Sequence, residues 1–239
     1  MMKNRIFVLI IFGMLGLAAG ACMPAPGGKE LRQSAEELGL QGADQVEAEV
    51  MMGAGELEVK GGADQLLEAV FRYSADDLVP DVVYRVGENS VGSLRVGQDE
   101  RPANNFNGSY YNKWELRFNS EVPLTLIVTM GAGDCSLDLE DINLRTLALT
   151  MGAGEANLDL GAPSEQDLDV EIQGGVGQLT VNLPPDARIE AEVSGGLGEI
   201  NLSGLQGTNG FCVSEYQGAG PVIRIKIQAG IGELNLLVR

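Results

Sequence analysis

Six short glycine corners in this 239-residue chain are each followed by an acidic or amide side chain. The corners are Gly53–Gly55, Gly131–Gly133, Gly152–Gly154, Gly175–Gly177, Gly196–Gly198 and Gly230–Gly232. The residues that follow are Glu56, Asp134, Glu155, Gln178, Glu199 and Glu233. Brought into one file, these carboxylates would offer oxygen ligands to a hard cation such as Ca²⁺. The same file also makes a solvated, charged face that discourages edge-to-edge association. Like charges in a row repel, and Gln178 interrupts the row.

Other chemistries are poorly supplied. The chain has no histidine, the commonest general base, triad base and metal ligand. A catalytic cysteine has no partner base, so Cys135 and Cys212 read as a buried thiol and a loop thiol, or as a disulfide formed after export. A hydrolase acting on wall polymers would need a paired acid and base. Tyr110, Asp99 and Glu115 are the nominees, with nothing in their spacing to link them. The corners themselves fail as phosphate loops, because no lysine or helix follows them and the surroundings are acidic. "GGVGQL" and "GGLGEI" begin like a calcium-binding nonapeptide, but Leu179 and Ile200 stand where that motif needs aspartate. The twelve glycines that open and close the corners therefore read as structural bends, and no cofactor is expected.

The segments around each corner explain what must position it. An alternating run leads in, the corner follows, then a second alternating run: Val122–Leu139, Leu144–Leu160, Asp167–Leu183, Arg188–Leu202 and Val222–Val238, with an outlying copy over Ala48–Lys60. Period-two alternation marks strands with one buried face. Leu147, Leu149 and Met151 form one inward set, matched by Leu168, Val170 and Ile172 and by Ile189, Ala191 and Val193. After the corner the inward sets are Ala156 with Leu158, Leu179 with Val181, and Ile200 with Leu202. The first glycines step by 21, 23 and 21 residues and then by 34 across an insertion. A unit of about 21 residues that cannot bury its own apolar face predicts an all-β, repetitive, solenoid-like stack. Stacking would set the acidic residues about 4.8 Å apart.

The array "VPLTLIVTMGAGDCSLDL", "LTMGAGEANLDL" and "GGVGQLTVNLPPDARIEAEVSGGLGEINL" resembles the bacterial toast-rack family. "GELEVKGGADQLLEAVFRYSADDLVPDVVYRV", "GSLRV" and "WELRFN" resemble its N-terminal region. Related glycine-repeat domains occur in adhesin-like and cell-wall-stress response proteins. The resemblance implies a β fold and an envelope location, and assigns no catalytic residue.

Lys3, Arg5 and the apolar stretch Ile6–Leu17 read as a signal peptide over residues 1–21. "LAAGAC" resembles a bacterial lipobox, which makes Cys22 a lipidation site; an ordinary secretory cleavage at the same place is the alternative. Residues 22–46 are expected to be a flexible tether with one short helix at most, 47–120 an N-terminal β region and 121–239 the repeat domain. The formal charge of -18 excludes nucleic acid as a main partner. The expected protein is a non-enzymatic envelope lipoprotein on the outer face of a bacterial membrane, which binds or scaffolds. The alternative is an accessory sensor or adhesin-like protein for a membrane protein or wall glycan, and self-association through the stack ends stays open. "NNFNGSYYNKW" (Asn104–Trp114), Phe211 and Tyr216 would cap the stack or recognise such a partner.

Overall fold

The computed structural model describes residues 31–75, 78–98, 111–163, 166–208, 210–216 and 218–239. Cys22 and the leader lie outside the described residues, as do Asp99 and Tyr110. No α-helix occurs among those described.

Each repeat is one long strand, and its length forces it to fold back. The strand Leu124–Leu139 has 16 residues and would run roughly 50 Å if straight. The next strand starts at Leu144, beside Leu124, after only the residues 140–143. Such a link spans at most about 18 Å. The chain must therefore return on itself at the glycine corner, and the burial pattern records the fold: Leu124, Leu126, Val128 and Met130 are buried before it, Cys135, Leu137 and Leu139 after it. The inward positions jump by five residues across the corner, so both arms of the rung face one interior.

The thirteen strands are β1 Arg32–Leu38, β2 Gln45–Ala63, β3 Leu67–Tyr73, β4 Asp81–Val86, β5 Val91–Gly97, β6 Asn112–Asn119, β7 Leu124–Leu139, β8 Leu144–Leu160, β9 Leu168–Leu183, β10 Arg188–Ser203, β11 Leu205–Thr208, β12 Phe211–Ser214 and β13 Val222–Val238. Six of them are folded-over rungs, stacked parallel and in register in the order β2-β7-β8-β9-β13-β10. The sheet is continuous across residue 120, because β2 pairs with β7 along both arms.

The two ends of the stack are finished differently. At the β2 end, β5 runs beside the first arm and β6 beside the second, so both arms are covered. Strand β4 then pairs with β5, β3 with β6, and β1 with β3. Trp114, Phe71 and Phe118 fill the interior there, with the Phe71 and Trp114 rings edge to face at 5.5 Å. At the β10 end the hairpin β11–β12 covers only Glu190–Glu192 of the first arm.

The structure corrects several expectations. Residues 32–38 of the expected tether are strand β1; its seven backbone pairs cover the edge of β3 while most of its side chains face water. The sequence order of rungs is not their spatial order. The insertion after β10 carries the chain out through the hairpin and back, so that β13 lies between β9 and β10. Hence Ile200 and Leu202, expected inside, are each 45% exposed: their rung is the last one, and no strand of the described residues covers its second arm. Leu179 is only half-buried.

Candidate functional site

Two physical constraints make the corners glycine. At the first glycine of β7, Gly131, a Cβ would lie 2.3 Å from the carbonyl oxygen of Gly53 on the rung below. At the second, Gly133, the clash with Gly55 O tightens to 2.0 Å and φ is +123°, a region that L side chains avoid. The same contact recurs upward from Gly152 and Gly154 to Gly175, Gly177, Gly230 and Gly232, and Gly198 meets Gly232 in turn. The corners are thus a column of glycines in backbone contact, with no room for a ligand between them.

The acidic file forms, in a revised order. Register places Glu56 beside Asp134, then Glu155, Gln178, Glu233 and last Glu199. Its lower end is neutralised. Lys113, opposite Glu56 on β6, reaches Glu56 at 3.3 Å and donates to Glu58 at 2.6 Å. That hydrogen bond holds the Glu58 carboxyl below its usual range and raises the Lys113 ammonium above its own. Higher up, the Asn235 amide donates to Glu233 at 2.9 Å. Five of the six rungs present one carboxylate at this position and β9 an amide, and among the described residues no three His, Cys, Asp or Glu side chains converge as metal ligands would.

Neither described cysteine is available for chemistry. Cys135 lies inside β7, and burial pushes its thiol up to about 12. Cys212 is buried on β12 beyond β10, its Sγ 3.7 Å from the Ala191 carbonyl oxygen, and burial raises it as well. Both are free, contrary to the disulfide considered from sequence. Five strand spacings of about 4.8 Å separate β7 from β12, far beyond the reach of a disulfide. Glu115, the described member of the nominated acid–base set, is paired with Arg72 and Lys113. Of the aromatics, Trp114 is an interior cap, whereas Phe211 and Tyr216 are exposed on and beside the hairpin.

The corner surface also holds a feature that sequence reading missed. In the first three rungs the residue before the corner is Met52, Met130 or Met151, and its Cε sits under the second glycine of that corner. In the last three rungs the position in register with it is Gly174, Ala229 or Gly195, the last of them exposed. The middle corner residue changes in the opposite sense. Ala54, Ala132 and Ala153 give way, in register, to Val176, Ile231 and Leu197, which are 56%, 55% and 73% exposed. Apolar volume has moved from the inside of the corner to its tip. What remains inside is a cleft of about 550 Å³ counted to its mouth, lined by Leu149, Met151, Ile172, Leu179, Ile200 and Leu234 among others. The signal is present in "TMGAG" against "QGGVG", "QAGIG" and "SGGLG", but it needs the stacking order before it forms a surface.

No curated protein matches the sequence. Among solved structures, a proposed cell adhesion protein from Clostridium sporogenes is 26% identical, with a TM-score of 0.83 over 88% of this chain and 100% of the other. Proposed adhesins from Bacteroides fragilis and Parabacteroides merdae are each 12% identical with TM-scores of 0.32. They cover 87% and 89% of this chain and 98% of their own. Residues 27–182 match the family described as the N-terminal domain of toast_rack, DUF2154. The chain, with its glycine-cornered parallel rungs, belongs to the toast-rack family.

Proposed function

We propose that this protein is a non-enzymatic, adhesin-like component of the bacterial envelope, exported and held at a membrane by a lipid on Cys22, where its repeat stack binds or scaffolds. One observation carries the reading: a proposed cell adhesion protein shares the fold over its whole length at 26% identity. The chemistry of the described residues agrees with it. The candidate acids are spread along the stack or tied into ion pairs, and the thiols are buried. A net charge of -18 disfavours docking of the folded stack on an anionic lipid face, which supports attachment through a lipid rather than through the stack.

Crosslinking in intact cells followed by mass spectrometry tests the binding role. A specific envelope protein or wall glycan is the expected product, and recovery of neither would overturn partner binding. The anchor is tested separately by fractionation. The Cys22→Ser protein should leave the membrane fraction, and retention there would remove the lipid from the account.

A further inference from the structure

Three features outside that reading have the makings of a site: the acidic file, the uncovered arm of β10, and the hollow corner of the last three rungs. The file spreads its carboxylates along the stack rather than around a point, and β10 carries nothing that selects what would pair with it. The hollow corner has shape, lining and charge that agree with one another.

We propose that the cleft under the corners of β9, β13 and β10 binds the alkyl chain of an amphiphile whose head group is cationic. The first part of the argument is shape. Gly174 and Ala229 stand where the lower rungs place methionine, so on β9 and β13 the vacated space is that of unbranched side chains about 4.8 Å apart. Gly195, in register on β10, is exposed with φ at +73°. From β8 to β10 the cleft extends roughly 14 Å across the strands. Its free space is about 550 Å³ counted out to the open mouth. A single extended alkyl chain matches the length and apolar lining of this slot better than a ring or a folded peptide.

Lining is the second part. Leu149, Met151, Ile172, Leu179, Ile200 and Leu234 surround the slot with hydrocarbon and thioether. Its polar side chains, Gln173, Gln178, Glu199 and Glu233, belong to outward positions, and among the described residues no lysine or arginine lines it. The two carboxylates at the mouth favour a cation and repel an anion within a Debye length of about 8–10 Å. The third part is the tip. Val176, Ile231 and Leu197 hold exposed apolar surface beside the mouth, where the segment of chain leaving the slot would be shielded from water.

The test uses the intact protein titrated calorimetrically with dodecyltrimethylammonium below its micellar concentration, with dodecyl sulfate as the anionic counterpart. Saturable binding of the cation, at least tenfold tighter than that of the sulfate, is expected. Gly174→Met combined with Ala229→Met restores the lower-rung filling, and at Gly174 a Cβ would meet nothing nearer than 3.9 Å. That variant should weaken binding at least tenfold. Leu197→Ala and Ile231→Ala, which reproduce the tips of the lower rungs, should weaken it about threefold and serve as the reading if the filled protein fails to fold. Unchanged affinity in the folded variants would overturn the proposal, as would equal binding of the sulfate or no saturable binding.

Discussion

The lower and upper halves of the stack share one backbone plan and differ in where they keep their hydrocarbon. Rungs β2, β7 and β8 bury a methionine beneath each corner and expose only alanine at its tip. Rungs β9, β13 and β10 leave that place to glycine or alanine and expose Val176, Ile231 and Leu197. The lower end is covered on both arms, the upper end on part of one. A closely similar corner can therefore serve a packed core, as in β8, or an open apolar surface, as in β9 and β13, depending on two side-chain positions per rung. At β10 the backbone changes as well, with Gly195 and Gly196 at φ of +73° and +89°. A solenoid separates those tasks easily, because each rung's packing depends chiefly on its neighbours.

The largest effects should fall on what both halves share. Gly154→Ala and Gly232→Ala each drive a Cβ to 2.0 Å or less from a carbonyl oxygen at positive φ. Each should cost about 3–5 kcal/mol by denaturant unfolding. A tolerated Gly232→Ala would mean that the upper corners are looser than the lower ones. Next comes the interior. Leu137→Ala empties a fully buried site and should cost about 2–5 kcal/mol, whereas Leu202→Ala, at an uncovered position, should cost less than about 1. Equal losses would show that the β10 end is buried in solution and would erase the contrast.

The smallest effect concerns the finished edge. The folded-state pKa of Glu58 is depressed by Lys113, so its contribution to stability is present above the unfolded carboxylate pKa and fades as pH falls through the folded one. Lys113 is raised, so its contribution persists to a pH above its unfolded value and is lost only beyond the folded one. The pair is half-buried at the sheet surface with solvent beside it, which limits it to about 1 kcal/mol. Lys113→Met should flatten the acid limb of stability against pH by that amount, read from melting temperatures across the pH 3–6 window. An unchanged slope would dissociate the acidic file from its neutralised end.

Much of this was legible because it is local. The glycine pair, the alternation around it and the inward phase of Leu147, Leu149, Ala156 and Leu158 all lie within one rung, and a rung's grammar is written in its own residues. Placement among rungs is not local. Nothing in "VIRIKIQAGIGELNLLV" states that it sits inside the fourth repeat's position; that follows from how the insertion turns. β1 escaped notice because "RQSAEEL" lacks an apolar alternation and is held by backbone pairing to β3. The acidic file was readable as a set, but its order and its neutralisation by Lys113 depend on β6, which lies outside the repeats.

The interleaving of β13 bears on the order of folding. Addition rung by rung in chain order would let each new repeat close on the one before it. Here β10 finds its long parallel partner only after more than thirty further residues have followed it. Until then it has the short hairpin alone. The upper half must therefore assemble as a unit, with β13 as its keystone, and a chain that loses β13 should lose two rungs rather than one.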